Sequence, residues 1–203
     1  MKIKILLFFI FLSVQLLGIS QYYKKGETGT SLFYSGYKTK ESKGYSASII
    51  HTFKSKLSFG INPAVILNKP KYAYWYEVKQ PDEIFHSLSF LGEYSVFRQK
   101  DAFINILSSY SMVLNSGPVV KSFAYGAEFS VKKLLPASNF FPEFTLIHSI
   151  SKKSMNVFSM IFGISYVIEI RNTKSILLNI NFVKNDVIPN QFSFSIGLIL
   201  KKK

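Results

Sequence analysis

The chain has 203 residues, a formal net charge of +14, no cysteine, 48% hydrophobic residues, twenty Phe and twelve Tyr. That length suits a single domain, and the lack of cysteine excludes both a disulfide framework and a lipoprotein anchor. After Leu17 no apolar run approaches the roughly 18 residues that a membrane-spanning helix needs, so the aromatic content has to be carried by strands.

Residues 1–20 read as a signal peptide. Lys2 and Lys4 give a short basic start, and Ile5 to Leu17 is apolar except for Ser13 and Gln15. Gly18 and Ser20 are small residues spaced as they are before a cleavage site. The expected cut precedes Gln21, leaving 21–203 as one exported, strongly basic domain.

Ten strands are predicted in order: Gly29 to Tyr37, Gly44 to Phe53, Leu57 to Leu67, Phe85 to Phe97, Ala102 to Leu114, Ser122 to Val131, Phe140 to Ile150, Asn156 to Ile168, Ser175 to Val183, and Gln191 to Leu200. Strand side chains alternate between faces, so each segment can be split by parity. In the last strand Phe192, Phe194, Ile196, Leu198 and Leu200 share one face, while Ser193, Ser195, Gly197 and Ile199 share the other. In the second, Tyr45, Ala47, Ile49 and Phe53 oppose Ser46, Ser48 and Thr52. The eighth sets Phe158, Met160, Phe162, Ile164, Tyr166 and Ile168 against Ser159, Gly163 and Ser165. The first strand is blurred, because Leu32, Phe33 and Tyr34 are consecutive. Pro63 has no N–H, which predicts a bulge or a break in pairing in the third strand. Lys54-Ser55-Lys56 reads as a tight turn, and Asn68 to Ile84 is the longest connection.

These patterns favour a membrane barrel over a soluble sandwich. The segments are long for soluble strands and suit tilted spanning strands of roughly 9–11 residues. Connections after the even strands are short, and those after the odd strands include the long Asn68–Ile84, as in a barrel with short periplasmic turns and longer outer loops. Every Lys and Arg after residue 20 falls at a strand end, in a loop or at a terminus, where charge is tolerated beside lipid. The expected fold is therefore all-β: an antiparallel up-and-down transmembrane β-barrel of about 10 strands, with 8 or 12 the neighbouring even counts. A barrel of this size has a lumen that is filled or narrow, unlike a wide porin.

The signal peptide, the Gln21 start, the aromatic-serine strands and the closing strand together resemble the small outer-membrane β-barrel proteins of Bacteroidota. That resemblance covers the chain from Gln21 onward and implies the outer membrane of a Gram-negative bacterium as its location. Ser195-Ile-Gly197-Leu-Ile-Leu200 is similar to the terminal signal read by the barrel-assembly machinery, with Leu200 where an aromatic is common and three lysines following. It implies that machinery as a partner.

Three acids share the lumen parity: Glu93, Glu128 and Glu143. With Asn105 they lie at similar distances from the predicted periplasmic edge on adjacent strands, which predicts one acidic layer low in the lumen. Close carboxylates repel, so the layer needs a cation, a shared proton or hydrogen-bond donors; Lys132 has the parity to reach Glu128. The layer reads either as a polar plug or as a cation-selective constriction. A second feature is the loop run Tyr72, Tyr74, Trp75 and Tyr76, either an interfacial aromatic belt or a surface for a protein or glycan partner. Lys38, Lys43, Lys121 and Lys184, among others, are expected on the outer side, where they would meet membrane lipid and lipopolysaccharide phosphates. An exported barrel does not meet nucleic acid, so the basic charge does not imply it as a partner.

A catalytic reading has one candidate. The stretch Phe144 to Ser151 distantly resembles the His-x-Ser-Asn run of outer-membrane lipid A deacylases. His148 has lipid parity, but Ile150 stands where that pattern has Ser, Ser149 points the other way, and no acid is placed to orient the imidazole. His51 and His86 read as interfacial. No histidine cluster has metal-ligand spacing, so no catalytic residue, metal or cofactor is assigned.

Overall fold

In a computed structural model, described for residues 20–39, 42–68, 84–99, 102–114, 120–131, 139–151, 156–186 and 190–202, the chain forms one closed antiparallel barrel. Its strands are β1 (Thr28–Lys38), β2 (Ser42–Phe53), β3 (Leu57–Asn68), β4 (Ile84–Arg98), β5 (Ala102–Leu114), β6 (Val120–Val131), β7 (Phe140–Ser151), β8 (Val157–Arg171), β9 (Lys174–Asn185) and β10 (Gln191–Lys202). Each pairs with its sequence neighbours, and β1 pairs with β10 from Thr28–Lys202 to Lys38–Phe192, which closes the barrel without a free edge. A short 3₁₀ turn, Ser20–Tyr22, precedes β1. The segment 1–19, which carries the expected signal peptide, lies outside the described residues, as do the aromatic loop Tyr72–Tyr76 and Lys132.

The outward face follows the parity read from sequence. Tyr45, Ile49, Phe59, Phe90, Phe129, Phe162, Ile180 and Phe194 are exposed, and neighbouring strands set aromatics beside one another, as in Phe144–Phe162 at 5.1 Å and Phe140–Tyr166 at 4.7 Å between ring centroids. Each Lys or Arg of a described strand lies within its last two positions at one end, leaving an uncharged apolar band between the rims. Inward and outward parity hold through the barrel because one residue of slip would carry the whole apolar set to the wrong side.

The inward face departs from expectation. Small polar residues are there, but the same parity also carries Phe33, Ile50, Leu91, Leu107, Ile147, Ile161 and Leu177, which pack together across the lumen. The barrel is thus filled by an apolar core and a polar one side by side. Two glycines make room for aromatics: a Cβ on Gly197 would overlap the Phe33 ring opposite it, and one on Gly44 would overlap Tyr37. This settles the parity of β1. Phe33 points inward over Gly197, while Leu32 and Tyr34 point out.

Local chemistry explains the irregular points. The Lys54-Ser55 hairpin has φ of 47° and 55° at its two central residues, with the Lys56 N–H donating to Phe53 O at 3.0 Å. Left-handed backbone at both positions matches the twist of the strands it joins. At Pro63 the β2–β3 ladder skips from Ser46–Ala64 to Ile49–Ile61 without changing register, so the missing N–H makes a gap in pairing and not a bulge. True bulges lie elsewhere, at Ser95/Phe97 and Glu169/Arg171, both at the rim that holds the chain termini.

Candidate functional site

Glu93, Asn105, Glu128 and Glu143 occupy β4, β5, β6 and β7, all four inward and buried in the half of the lumen nearest the termini. Asn105 stands opposite Glu128 and its Nδ2 donates to Glu128 Oε1 at 3.2 Å. Glu143 stands opposite Ser130, one inward position nearer the terminal rim than Glu128. Glu93 stands opposite Leu107 on one side and Ser58 on the other.

Glu143 is held by the segment before β1. Lys24 to Glu27 form a turn: Glu27 N–H donates to Lys24 O at 3.0 Å, Lys24 N–H donates to the Glu27 carboxylate at 2.7 Å, and Gly26 has φ of +88°. That φ is open to glycine and strained for other residues. The turn is pinned to the neighbouring hairpin by Gly26 N–H donating to Ser55 Oγ at 3.1 Å. It sends Gln21, Tyr22 and Tyr23 back into the lumen, where Gln21 is only 1% exposed.

There the contacts are specific. Gln21 Nε2 donates to Glu143 Oε1 at 2.9 Å, and Ser130 Oγ donates to Gln21 Oε1. The Tyr22 hydroxyl donates to Glu143 Oε1 and lies 2.8 Å from Ser165 Oγ. Asn179 Nδ2 reaches Glu143 Oε2 at 3.1 Å and Ser165 Oγ at 2.7 Å. The Tyr22 ring meets Phe141 edge-on at 5.6 Å. Burial, followed by the nearby Glu143 charge, pushes the Tyr22 phenol well above its ordinary range, so it stays a neutral donor. Tyr23 packs under Gly29 and bonds Ser31 Oγ at 2.8 Å. A buried carboxylate with several good donors is a strong intramolecular anchor, because each donor would be costly to leave unpaired.

Arg98 supplies the lumen with a cation that sequence parity misses. The bulge at Ser95/Phe97 inserts one residue, so Val96 and Phe97 both point outward and Arg98 is re-aimed. Its Nη1 donates to Ser55 O at 2.9 Å, its guanidinium lies 5.2 Å from the Phe103 ring centroid, and it sits within electrostatic range of Glu27 and Glu93. A bulge of this kind re-aims side chains and is invisible to a period-two reading.

The architecture can be compared with solved structures. The β domain of the Bordetella autotransporter BrkA superposes with a TM-score of 0.51 at 7% identity, covering 88% of this chain and all of that one. The fold is that of outer-membrane β-barrels. The translocator domain of the autotransporter NalP from Neisseria meningitidis (TM-score 0.47, 8% identity, 94% of this chain and 95% of that one) and the KdgM porin (0.44, 10%, 85% and 99%) are also similar. No protein-family model matches the sequence, and no curated protein matches it.

Within this outer-membrane-type barrel the remaining candidates separate. Ser195 faces inward and accepts from Ser35 Oγ at 2.9 Å, Gly197 lies beneath Phe33, and Leu200 stands opposite Thr30, so all three sit in the closing seam. His148 faces outward, with its Nδ1 2.9 Å from the Tyr125 hydroxyl, whereas Ser149 is buried on the inward side. Imidazole and serine hydroxyl are therefore on opposite faces of the wall. His51 faces outward near the terminal rim against Thr30 and Phe53. Gln21, Tyr22, Ser165 and Asn179 were not foreseen as one site; the available signal was the expectation that three inward acids need donors.

Proposed function

We propose that this chain is an outer-membrane β-barrel with a structural or binding role, exported by its signal peptide, whose lumen is closed by its own side chains and by the segment Gln21–Tyr23. The observation that carries this reading is the clasp of Glu143 by Gln21, Tyr22 and Asn179 inside a lumen already packed with Leu107, Ile147, Ile161 and Leu177. A conducting path needs a continuous wet, polar lining, and large apolar side chains along the lumen oppose one.

The outward band supports a lipid environment, with lipopolysaccharide phosphates as the anions that Lys38, Lys43, Lys121 and Lys184 would meet at the outer rim. Lys38 and Lys43 stand opposite one another on adjacent strands, an arrangement that repels unless an anion lies between them. The seam residues Ser195, Gly197 and Leu200 suit recognition by the barrel-assembly machinery, and the loop Tyr72–Tyr76 suits a protein or glycan partner.

Fractionation and planar-bilayer recording test the reading together. The expected result is heat-modifiable migration in the outer-membrane fraction and no conductance steps. Steps that diminish in Glu93→Gln, Glu128→Gln and Glu143→Gln variants would favour the rival cation channel. A soluble periplasmic product would overturn the membrane placement. For the lipid-modifying alternative, lipid A mass spectra are expected to be the same with and without His148→Ala.

A further inference from the structure

Among the described residues, the groups that bond the acid anchoring the plug are all neutral. Arg98 serves Glu27 and Glu93 at the rim. Deeper in, Glu143 receives Gln21 Nε2, the Tyr22 hydroxyl and Asn179 Nδ2, none of them charged. Glu128 lies close enough to act electrostatically on the same Tyr22. Buried carboxylates are costly unless a positive charge is near. One acceptor beside Glu143 also lacks a donor: Asn181 Oδ1 is buried without a partner, and it lies with Glu143 Oε2 over the bare Cα of Gly163. A further donor group carrying positive charge would complete this cluster.

The residue that reaches Glu143 is the one expected to begin the processed chain. We propose that cleavage between Ser20 and Gln21 makes the new α-ammonium of Gln21 a cation of this part of the lumen, so that plug docking depends on processing. The inference rests on the plugged-barrel reading above. An export peptidase adds water across the Ser20–Gln21 amide; the carboxylate leaves with Ser20, and the freed nitrogen of Gln21 takes up a proton. Before the cut that nitrogen is a neutral amide and brings no charge. After it, three N–H donors on a cation enter a lumen that holds Glu128, Glu143 and the unpartnered Asn181 Oδ1. Docking also occupies the Gln21 side-chain amide through Glu143 and Ser130. Attack of the α-amine on that amide, expelling ammonia, would remove both the charge and the Nε2 donor, and the docked state disfavours it.

The test uses protein purified from membranes. Amino-terminal sequencing and intact mass are expected to give a chain starting at Gln21 with its amine free; a different start, or a mass showing loss of ammonia, overturns the proposal. An amine-acylating reagent is then applied to folded and to unfolded protein. The Gln21 amine is expected to react at least about tenfold more slowly when folded, and Glu128→Gln with Glu143→Gln is expected to abolish most of that protection. Hydrogen exchange of the peptide 21–27 is followed in parallel. Protected amides with an amine that reacts equally fast in folded, unfolded and variant protein would leave the plug intact and overturn its dependence on charge. Unprotected amides would overturn the plug itself.

Discussion

The two halves of the lumen are built differently. Near the termini it holds Glu93, Glu128, Glu143 and Arg98, and the donors and acceptors around Glu143 are joined through Gln21, Tyr22, Ser130, Ser165 and Asn179. In the far half no described inward residue is charged, and hydroxyls such as Ser46, Ser87, Ser89, Ser149 and Ser193 find no protein partner, although Ser159 does bond Asn185 at 2.7 Å. Ser95 and Ser175 are exceptions at the terminal end. The contrast shows where the barrel commits to one arrangement. Amide and hydroxyl groups from the 3₁₀ turn, β6, β8 and β9 converge around one carboxylate of β7, whereas a lone hydroxyl against a lumen wall is served as well by water as by protein.

Removing the hub should therefore have the largest effect. Glu143→Leu leaves Gln21 Nε2, the Tyr22 hydroxyl and Asn179 Nδ2 without their acceptor, and is expected to lower unfolding free energy by about 3 kcal/mol. Urea unfolding of the barrel refolded in liposomes measures this, and a loss under about 1 kcal/mol would mean the clasp is not an anchor. Next comes Gly163→Ala, whose Cβ would meet Asn181 Oδ1 and Glu143 Oε2 and force the network apart. A cost of about 2 kcal/mol is expected in the same assay. Gly44→Ala in the far half has the Tyr37 ring near the rim as its nearest neighbour and should cost clearly less, since one side chain can shift to make room. Equal costs would erase the contrast between the halves.

These sites differ in how far the sequence exposes them. The lipid face was legible, because hydrocarbon penalises every polar lapse and so keeps Phe192, Phe194 and Ile196 in strict alternation. The closed lumen was not legible in the same way. Leu107 sits between Ile106 and Ser108, and Phe33 between Leu32 and Tyr34, so their inward direction depends on the whole barrel's register and on the space left by Gly197. Glu93, Glu128 and Glu143 could be put on the lumen side from parity alone, yet their partners could not. Gln21 and Tyr22 form no periodic pattern and meet Glu143 across more than a hundred residues of chain. Arg98 needed a bulge that nothing in Ser95-Val96-Phe97 announces.

Smaller changes sharpen the comparison further. Tyr22→Phe keeps the ring against Phe141 and removes only the hydroxyl that serves Glu143 and Ser165. With Gln21 and Asn179 still donating, a loss of about 1 kcal/mol is expected by urea unfolding. Faster exchange in the peptide 21–27 should accompany it, because Glu143 then holds the segment through one side chain in place of two.

Ser89→Ala is the opposite case. Ser89 is fully buried on the inward side of β4, opposite Ser111, and its hydroxyl has no protein partner. Deleting an oxygen that bonds to nothing in the protein removes no network, and the methyl that remains fits the same space. The expected change in urea unfolding is within about 0.5 kcal/mol, the range of substitutions that touch no special feature. Because Ser89 is as buried as Gln21, burial alone would predict similar costs for Ser89→Ala and Gln21→Ala. A cost above about 1 kcal/mol for Ser89→Ala would mean that the far hydroxyls are organised too, and that the lumen is one continuous network instead of a polar anchor beneath a loosely bonded upper half.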